Sequence, residues 1–264
     1  MRIGFLADSH FVEGPLFEVS QRVHDWIVQD MQWRGVDLAL HGGDVYDSPF
    51  PSIPEQQAAF RFFQHLAEEV CPVMVVRGNH DSAAPLSKLE LVNSTYQVVV
   101  EPGAGLHKIW TRKGHAWVLG VSWNEPLPEG PIEVGFRAGA PIIVLGHLLV
   151  RGAWPSSGQA ADGCHVWSNM PASMLEKGYV ETLISDLRAT RSDLVLLGHI
   201  HARQEWRPRL HKGRYAGPPI LYSGSPMRLH PDEIEPKGYV IADVQPGREV
   251  YWARIEVPRN PMRK

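Results

Sequence analysis

Cysteine is almost missing from the chain: two residues, Cys71 and Cys164, stand far apart and outside any Cys-x-x-Cys pattern. That spacing excludes a disulfide framework and a thiolate zinc knuckle, and it fits a reducing cytoplasm. No apolar run approaches the length of a membrane span, and the strand-like Arg2-Ile3-Gly4-Phe5-Leu6 leaves no room for a leader before it. A soluble, untargeted, cytoplasmic protein without membrane partners is expected. Positive charge is not in excess either, since 26 Lys and Arg face 29 Asp and Glu for a formal net charge of -3. The basic footprint of many nucleic-acid binders is therefore lacking. Two divalent cations would more than cancel that charge where a phosphate must sit, so global charge decides little. The chain also lacks internal repeats, low-complexity tracts and any linker-like break. Its 264 residues, 44% of them hydrophobic, suit one large domain over 1–264.

What the chain does have is a series of carboxylate, imidazole and amide clusters. Asp8 and His10, Gly43-Asp44, Gly78-Asn79-His80-Asp81, Gly146-His147 and Gly198-His199-Ile200-His201 each follow an apolar run that reads as a strand, at 3–7, 36–40, 73–76, 142–145 and 194–197. Five strand ends aimed at one point build a pocket. Helical patterns at 20–34 and 54–69 alternate with the first strands, the signature of a largely parallel sheet. Gly35 supplies a stop for the first helix and Pro54 a start for the second. From 97 onward short strands are expected at 97–100, 106–111 and 116–121. A long loop at 152–171 and a helix at 172–189 follow, then strands at 220–223, 239–244 and 250–255.

The ligand types decide the chemistry. Two metals about 3.5–4 Å apart turn a bridging water into hydroxide and clamp the attacking and leaving oxygens of an in-line displacement. Asp44, on a tight Gly42-Gly43 turn, is the candidate bridge, because a carboxylate reaches both ions. Asp8 and His10 can share one ion, His199 and His201 repeat that spacing, Asn79 adds a neutral oxygen, and His147 completes the set. Mixed nitrogen and oxygen donors without thiolate favour manganese, iron or zinc over calcium. His80 is the candidate acid facing the leaving oxygen, and Asp81 is expected to orient an imidazole. Any one of these histidines alone would more often be a core or surface residue. Their ordered recurrence favours the metal site. The other eight histidines, His24 and His41 among them, read as structural or solvated.

The clusters, in this order, resemble the calcineurin-like metallophosphoesterase superfamily. Two further stretches, Leu196-Leu197-Gly198-His199-Ile200-His201 and Tyr222-Ser223-Gly224-Ser225-Pro226 followed by Lys237-Gly238-Tyr239, are similar to its SbcD-type DNA repair nucleases. The resemblance implies an α/β, four-layer αββα sandwich of two mixed β-sheets flanked by helices. It implies two divalent ions, manganese foremost with iron, zinc or magnesium as alternatives. One ion would be held by Asp8, His10, Asp44 and His201, the other by Asp44, Asn79, His147 and His199. It also implies exonuclease and endonuclease action on DNA ends or single strands in repair or recombination, an SbcC-type coiled-coil ATPase partner, and a homodimer formed through 85–92, where Leu86, Leu89 and Val92 equally suit the chain's own core. Ser223, Gly224 and Ser225 would lie near the DNA backbone.

Two departures stand out. Phe11-Val12-Glu13-Gly14 replaces the usual Leu-Gly after the first cluster, and Asp47 occupies a position where some relatives carry histidine. The resemblance implies a capping domain and ATPase-binding helices beyond the nuclease segment, and 1–264 is expected to hold the nuclease domain only, as a minimal nuclease or a catalytic fragment. Arg203, Arg207, Arg209, Lys212 and Arg214, interleaved with Trp206 and Tyr215, form a candidate DNA contact beside a solvated-hairpin alternative. Two competing functions remain: a phosphodiesterase or phosphatase for small nucleotides and phosphoesters, and a non-enzymatic scaffold on the same fold.

Overall fold

The computed structural model describes residues 1–135, 139–154, 180–211, 214–231 and 233–258, with backbone alone at 209–211 and 214–216. Two six-stranded mixed sheets face each other. In the first, β1 (Arg2–Leu6), β2 (Leu38–His41), β3 (Val73–Val76) and β4 (Val98–Glu101) run parallel. β15 (Gly238–Asp243) and β16 (Tyr251–Glu256) extend it antiparallel beyond β1. In the second, β6 (Gly114–Val121), β7 (Ile142–His147), β10 (Leu194–Gly198) and β14 (Ile220–Tyr222) run parallel. Antiparallel β5 (Ala104–Thr111) and β11 (Gln204–Trp206) form its edges. Short β8 (Leu149–Val150) pairs with β9 (Glu181–Thr182), and β12 (Arg209–His211) with β13 (Arg214–Ala216).

Side-chain alternation explains the layers. Ile3 and Phe5, Leu38 and Leu40, and Met74 and Val76 meet Ile143, Leu145, Leu194 and Leu196 between the sheets. The intervening Leu6, Ala39, Val73 and Val75 face outward onto Val23, Ile27, Met31, Phe62 and Phe63 of two helices. Strands apolar on both faces are what a covered parallel sheet requires. α1 (Phe17–Trp33) ends at Gly35, whose φ of 65° is a left-handed stop. α2 (Ile53–His65) starts with a capping box in which Ser52 and Glu55 satisfy each other's amides, and it runs into a π-helical turn at Leu66–Val70. That continuation is why the pattern reads as one helix to residue 69.

The second outer layer is thinner than expected. Among the described residues it contains α4 (Ile184–Ala189) and the segment around Leu148–Ala153, packed on Val144, Val195, Leu197 and Tyr222. Most of the expected loop at 152–171 and the first half of the expected helix at 172–189 lie outside the described residues. The stretch assigned to dimer contact forms α3 (Ala83–Ser87) and a 3₁₀ turn at Lys88–Leu91. Leu86 and Leu89 are buried in the chain's own core, and Val92, partly buried, packs against it. No helix among the described residues is long and apolar enough to cross a membrane.

Candidate metal centre

The parallel strands bring their C-terminal ends to one edge where the two sheets touch. That contact depends on missing side chains: a Cβ on Gly198 would lie 2.1 Å from the Gly42 carbonyl oxygen, and one on Gly43 would lie 2.6 Å from His147 Nδ1. The residues at this edge are held in costly conformations. Asp8, His10, Asp44 and His199 all have positive φ, at 57°, 44°, 51° and 99°. Each such residue costs about 1–3 kcal/mol, a cost the surrounding core must offset and one that concentrates at functional sites.

The seven expected ligands form one connected group around Asp44. Its Oδ1 accepts the His80 amide at 2.8 Å, and its Oδ2 lies 3.6 Å from His10 Nε2 and 3.5 Å from His147 Nε2. On one side, Asp8, His10 and His201 present donor atoms within 4.8 Å of one another. On the other, Asn79 Oδ1 lies 2.9 Å from both His147 Nε2 and His199 Nδ1.

The hydrogen bonds around this group leave its lone pairs pointing inward. His10 Nδ1 lies 3.0 Å from Asp47 Oδ1, His201 Nδ1 lies 3.2 Å from Glu233 Oε1, and His147 Nδ1 lies 2.7 Å from the Gly42 oxygen. Each Nδ1 donates its proton to oxygen, which leaves Nε2 as an acceptor in the neutral ring. His10 Nε2 and His201 Nε2 then oppose each other at 3.2 Å, an arrangement that calls for a proton or a cation between them. Asp8 supplies the second sign, because its Oδ1 takes the His199 amide at 2.9 Å while the buried Oδ2 has no partner. A buried, unpaired carboxylate oxygen beside converging imidazoles fits divalent cations.

Electrostatics follow from the same burial. Burial raises the Asp8 carboxyl above its ordinary range against the pull of the His201 and His147 charges. Asp44 goes the other way: burial opposes its ionisation, but the charge and hydrogen bond of His147, with His10 and His80, hold it far below the usual carboxylate range. Burial likewise works against protonation of His147, yet Asp44 and Asp8 outweigh it and lift the imidazole to about 9. Protons and cations thus compete for the same atoms.

The other expected site residues are placed as follows. His80 Nδ1 donates to the Asp47 carbonyl at 2.8 Å, and its ring lies 4.9 Å from that of His10. Asp81 orients no imidazole: its carboxylate accepts the amides of Val45, Tyr46 and Gly78, tying the second and third ligand loops together. Burial and the neighbouring Asp44 charge raise it to about 6. Ser223 and Ser225 are fully buried, so the expected contact with a DNA backbone has no exposed hydroxyl to make it. The Ser225 amide donates to the His201 carbonyl at 3.2 Å, and Ser225 Oγ receives Lys237 Nζ at 2.9 Å. With a φ of 71°, Gly224 lets this turn pass under the His201 to Arg203 backbone. The turn braces a ligand loop. Arg203 is exposed and paired with Glu205 at 3.2 Å.

Some residues that sequence reasoning left aside also shape the centre. The Gly43 amide donates to His41 Nδ1 at 3.3 Å, His41 Nε2 lies 2.8 Å from Ser9 Oγ, and Ser9 Oγ lies 2.9 Å from His24 Nε2. His24 Nδ1 reaches the Ser20 carbonyl at 2.7 Å. An amide donor at one end and a carbonyl acceptor at the other fix both tautomers and run every proton one way. This buried chain ties Ser9, between two candidate ligands, to Gly43, beside a third. Glu233 also receives Lys237 Nζ at 2.9 Å, and Trp123 lies over His199 at 4.5 Å between ring centroids.

The hydrogen-bonded chain carries a stability signature. Burial depresses His24 to about 4, against an ordinary 6.5, so it is neutral when folded and takes up a proton on unfolding below that value. Its contribution is complete above about pH 6.5 and is lost as pH falls towards about 4, at about 1.4 kcal/mol per pH unit. Urea denaturation in chelator should show His24→Gln losing that part of the acid slope. An unchanged slope would contradict the assignment.

Fold and cluster together define a phosphoester hydrolase of α/β sandwich architecture with a candidate dinuclear metal site. A family model for calcineurin-like phosphoesterases matches residues 1–203, and the chain belongs to that family. Among curated proteins it is 25% identical over 268 residues to the D component of the nuclease SbcCD from Escherichia coli K12, covering 91% of this chain and 64% of that one. It is 24% identical over 261 residues to the Bacillus subtilis protein of the same name, covering 87% and 61%. The chain therefore spans somewhat under two thirds of these relatives. Two solved structures share the fold. Purple acid phosphatase PPD1 from yellow lupin seeds has a TM-score of 0.52 at 14% identity, with 92% of this chain and 49% of that one covered. A dimetal phosphatase from Danio rerio has a TM-score of 0.50 at 11% identity, with 98% and 99% covered.

Proposed function

We propose that the chain is a nuclease that hydrolyses phosphodiester bonds of DNA at a two-metal centre, in repair or recombination. The observation that carries the reading is Asp44 Oδ2, which lies 3.6 Å from His10 Nε2 and 3.5 Å from His147 Nε2 at the junction of two donor groups. Asp8, His10, Asp44 and His201 would hold one cation, and Asp44, Asn79, His147 and His199 the other. When bound, the pair supplies a hydroxide nucleophile and neutralises the phosphoryl oxygens. The mixed nitrogen and oxygen donors suit manganese, iron or zinc without choosing among them, and the resemblance puts manganese first, with iron, zinc and magnesium as alternatives. His80, its Nδ1 engaged by the Asp47 carbonyl, keeps Nε2 for proton transfer to the leaving oxygen. Glu233 and Asp47 orient two ligand imidazoles, and Trp123 backs a third.

DNA as substrate rests on the similarity to SbcCD nuclease components. Residues 1–264 would act as one nuclease domain in the cytoplasm. The relatives are named as the D component of SbcCD, which makes an SbcC-type ATPase the partner to test. Burial of Ser223 and Ser225 removes one reason to prefer a polymer, so a small phosphodiester belongs in the same assay. The test is cleavage of labelled single-stranded, blunt and overhanging DNA with manganese, beside RNA and a chromogenic phosphodiester. DNA cleavage is expected. Turnover of the chromogen alone would replace the reading with a small-substrate phosphodiesterase, and no turnover at all would point to a scaffold.

The Glu233 carboxylate gives a further expectation. It is fully buried, and although burial opposes its charge, His201 and Lys237 hold it at about 2, which makes the His201 imidazole a better donor. Glu233→Gln should weaken cation binding about 10–100-fold while the fold persists, as titration calorimetry with manganese would show. Unchanged affinity would remove Glu233 from the centre.

A further inference from the structure

At the opposite end of the second sheet, where β10 and β14 begin, a cavity of about 930 Å³ is lined by Arg188, Arg191, Arg207 and Arg248 with Trp252 and Glu249. Among the described residues, Arg188, Arg191 and Arg248 form no ion pair. The lining Asp193 carboxylate accepts the Ile142 amide at 2.8 Å. Arg188 is part of the built interior: its side chain packs on the Gly217 backbone, Nη2 donates to the Arg207 carbonyl at 3.4 Å, and its buried Nε has no partner. Arg207 is fixed in place, with Nε on Glu205 at 3.0 Å and the guanidinium 4.6 Å from the Trp252 ring centroid. Arg191 keeps a φ of 52°, a conformation that non-glycine residues adopt rarely.

Four guanidinium groups share one cavity with the two carboxylates of Asp193 and Glu249, an excess of positive charge in which, among the described residues, three of the four arginines form no ion pair; this suits an anion. Arginine's planar fork matches phosphate oxygens in pairs. The position of the cavity narrows the ligand. Arg203 and Arg207 flank β11, the edge strand, with Arg203 two residues beyond the candidate ligand His201 and Arg207 on the cavity rim. At about 3.3 Å per residue the five-residue β10 separates the two ends by roughly 15 Å, a reach of a few nucleotides.

We propose that this cavity is a second phosphate site, which grips a backbone phosphate of the nucleic-acid strand whose scissile bond lies at the metal centre. The proposal rests on the nuclease reading for its substrate and on the arginine cluster for its chemistry. Neither Arg191 nor Arg248 belongs to the catalytic group, and both are exposed.

The test uses the full chain, the double variant Arg191→Asn with Arg248→Gln, and fluorescent single-stranded DNA in chelator, which prevents cleavage. Asn is chosen because it tolerates the left-handed backbone at 191. The cavity is proposed to neutralise one backbone phosphate, so the double variant should lower the slope of log affinity against log salt by about 0.7, the value for one phosphate of a single strand. Its turnover of a chromogenic phosphodiester should match wild type. Equal affinity and slope in both proteins would overturn the proposal. Inorganic phosphate is the second arm: if it binds wild type but not the variant while DNA affinity and slope are the same in both, the site takes free phosphate rather than a strand. Turnover of the chromogen by a wild type that neither binds nor cuts DNA would sink the nuclease reading, a failure separate from that of the cavity.

Discussion

Asp44→Ala should remove both cations together and take DNA hydrolysis down to background. The carboxylate is almost fully buried, and its two oxygens divide the work: Oδ1 holds the His80 amide, while Oδ2 faces His10 Nε2 and His147 Nε2, which belong to the two donor groups. Asp81 cannot take its place, since its carboxylate is spent on three amides, and Asp8 is itself a candidate ligand with only Oδ2 left for a cation. Losing a supporting hydrogen bond typically costs about 10–100-fold in metal affinity, and losing a carboxylate shared by both groups should exceed that at each. The charge matters as much as the geometry, since Asp44 leads the groups that raise His147 to about 9. Elemental analysis after dialysis against manganese would settle the point. One ion retained at full occupancy would show that Asp44 belongs to a single site.

The site was legible in the sequence because each candidate ligand directly follows an apolar strand, and parallel strands of one sheet end on one side. That rule groups Asp8, Asp44 and Asn79 at the end of one sheet and His147 and His201 at the end of the other; that the two ends meet depends on how the sheets pack at Gly42 and Gly198. The supporting residues had no such signal. His24 lies on the buried face of α1, where a lone histidine usually signifies packing, and its link to Ser9 and His41 exists only once β1, β2 and α1 are assembled. Glu233 looks like one acid among several in a polar turn, yet it is fully buried between His201 and Lys237. Ser223 and Ser225 failed the other way. Small polar residues around a glycine read as an exposed phosphate loop, whereas here they pack beneath the His201 segment. The fold shows the same divide: periodicity located α1, α2 and the central strands, but not short β11, whose edge position depends on pairing with β14.

His80→Ala should reduce DNA cleavage about 10²–10⁴-fold with both cations still bound, the range expected when a general acid is lost. The backbone supports this separation, because the His80 amide, not its ring, donates to Asp44 Oδ1, and alanine keeps that bond. The ring is tethered at Nδ1 to the Asp47 carbonyl, which fixes the neutral tautomer with Nε2 unprotonated, so donation to a leaving oxygen requires the doubly protonated ring. A leaving-group comparison tests that requirement directly. The alkoxide released from DNA is strongly basic and needs the proton, whereas a nitrophenolate departs without it. His80→Ala should therefore cripple DNA cleavage while leaving nitrophenyl phosphodiester turnover close to wild type. Equal losses on both substrates would make His80 a stabiliser of phosphoryl charge rather than an acid. His80 also groups with His10 and Asp44 as a potential ligand set, so loss of a cation in the variant would assign it to the metal instead.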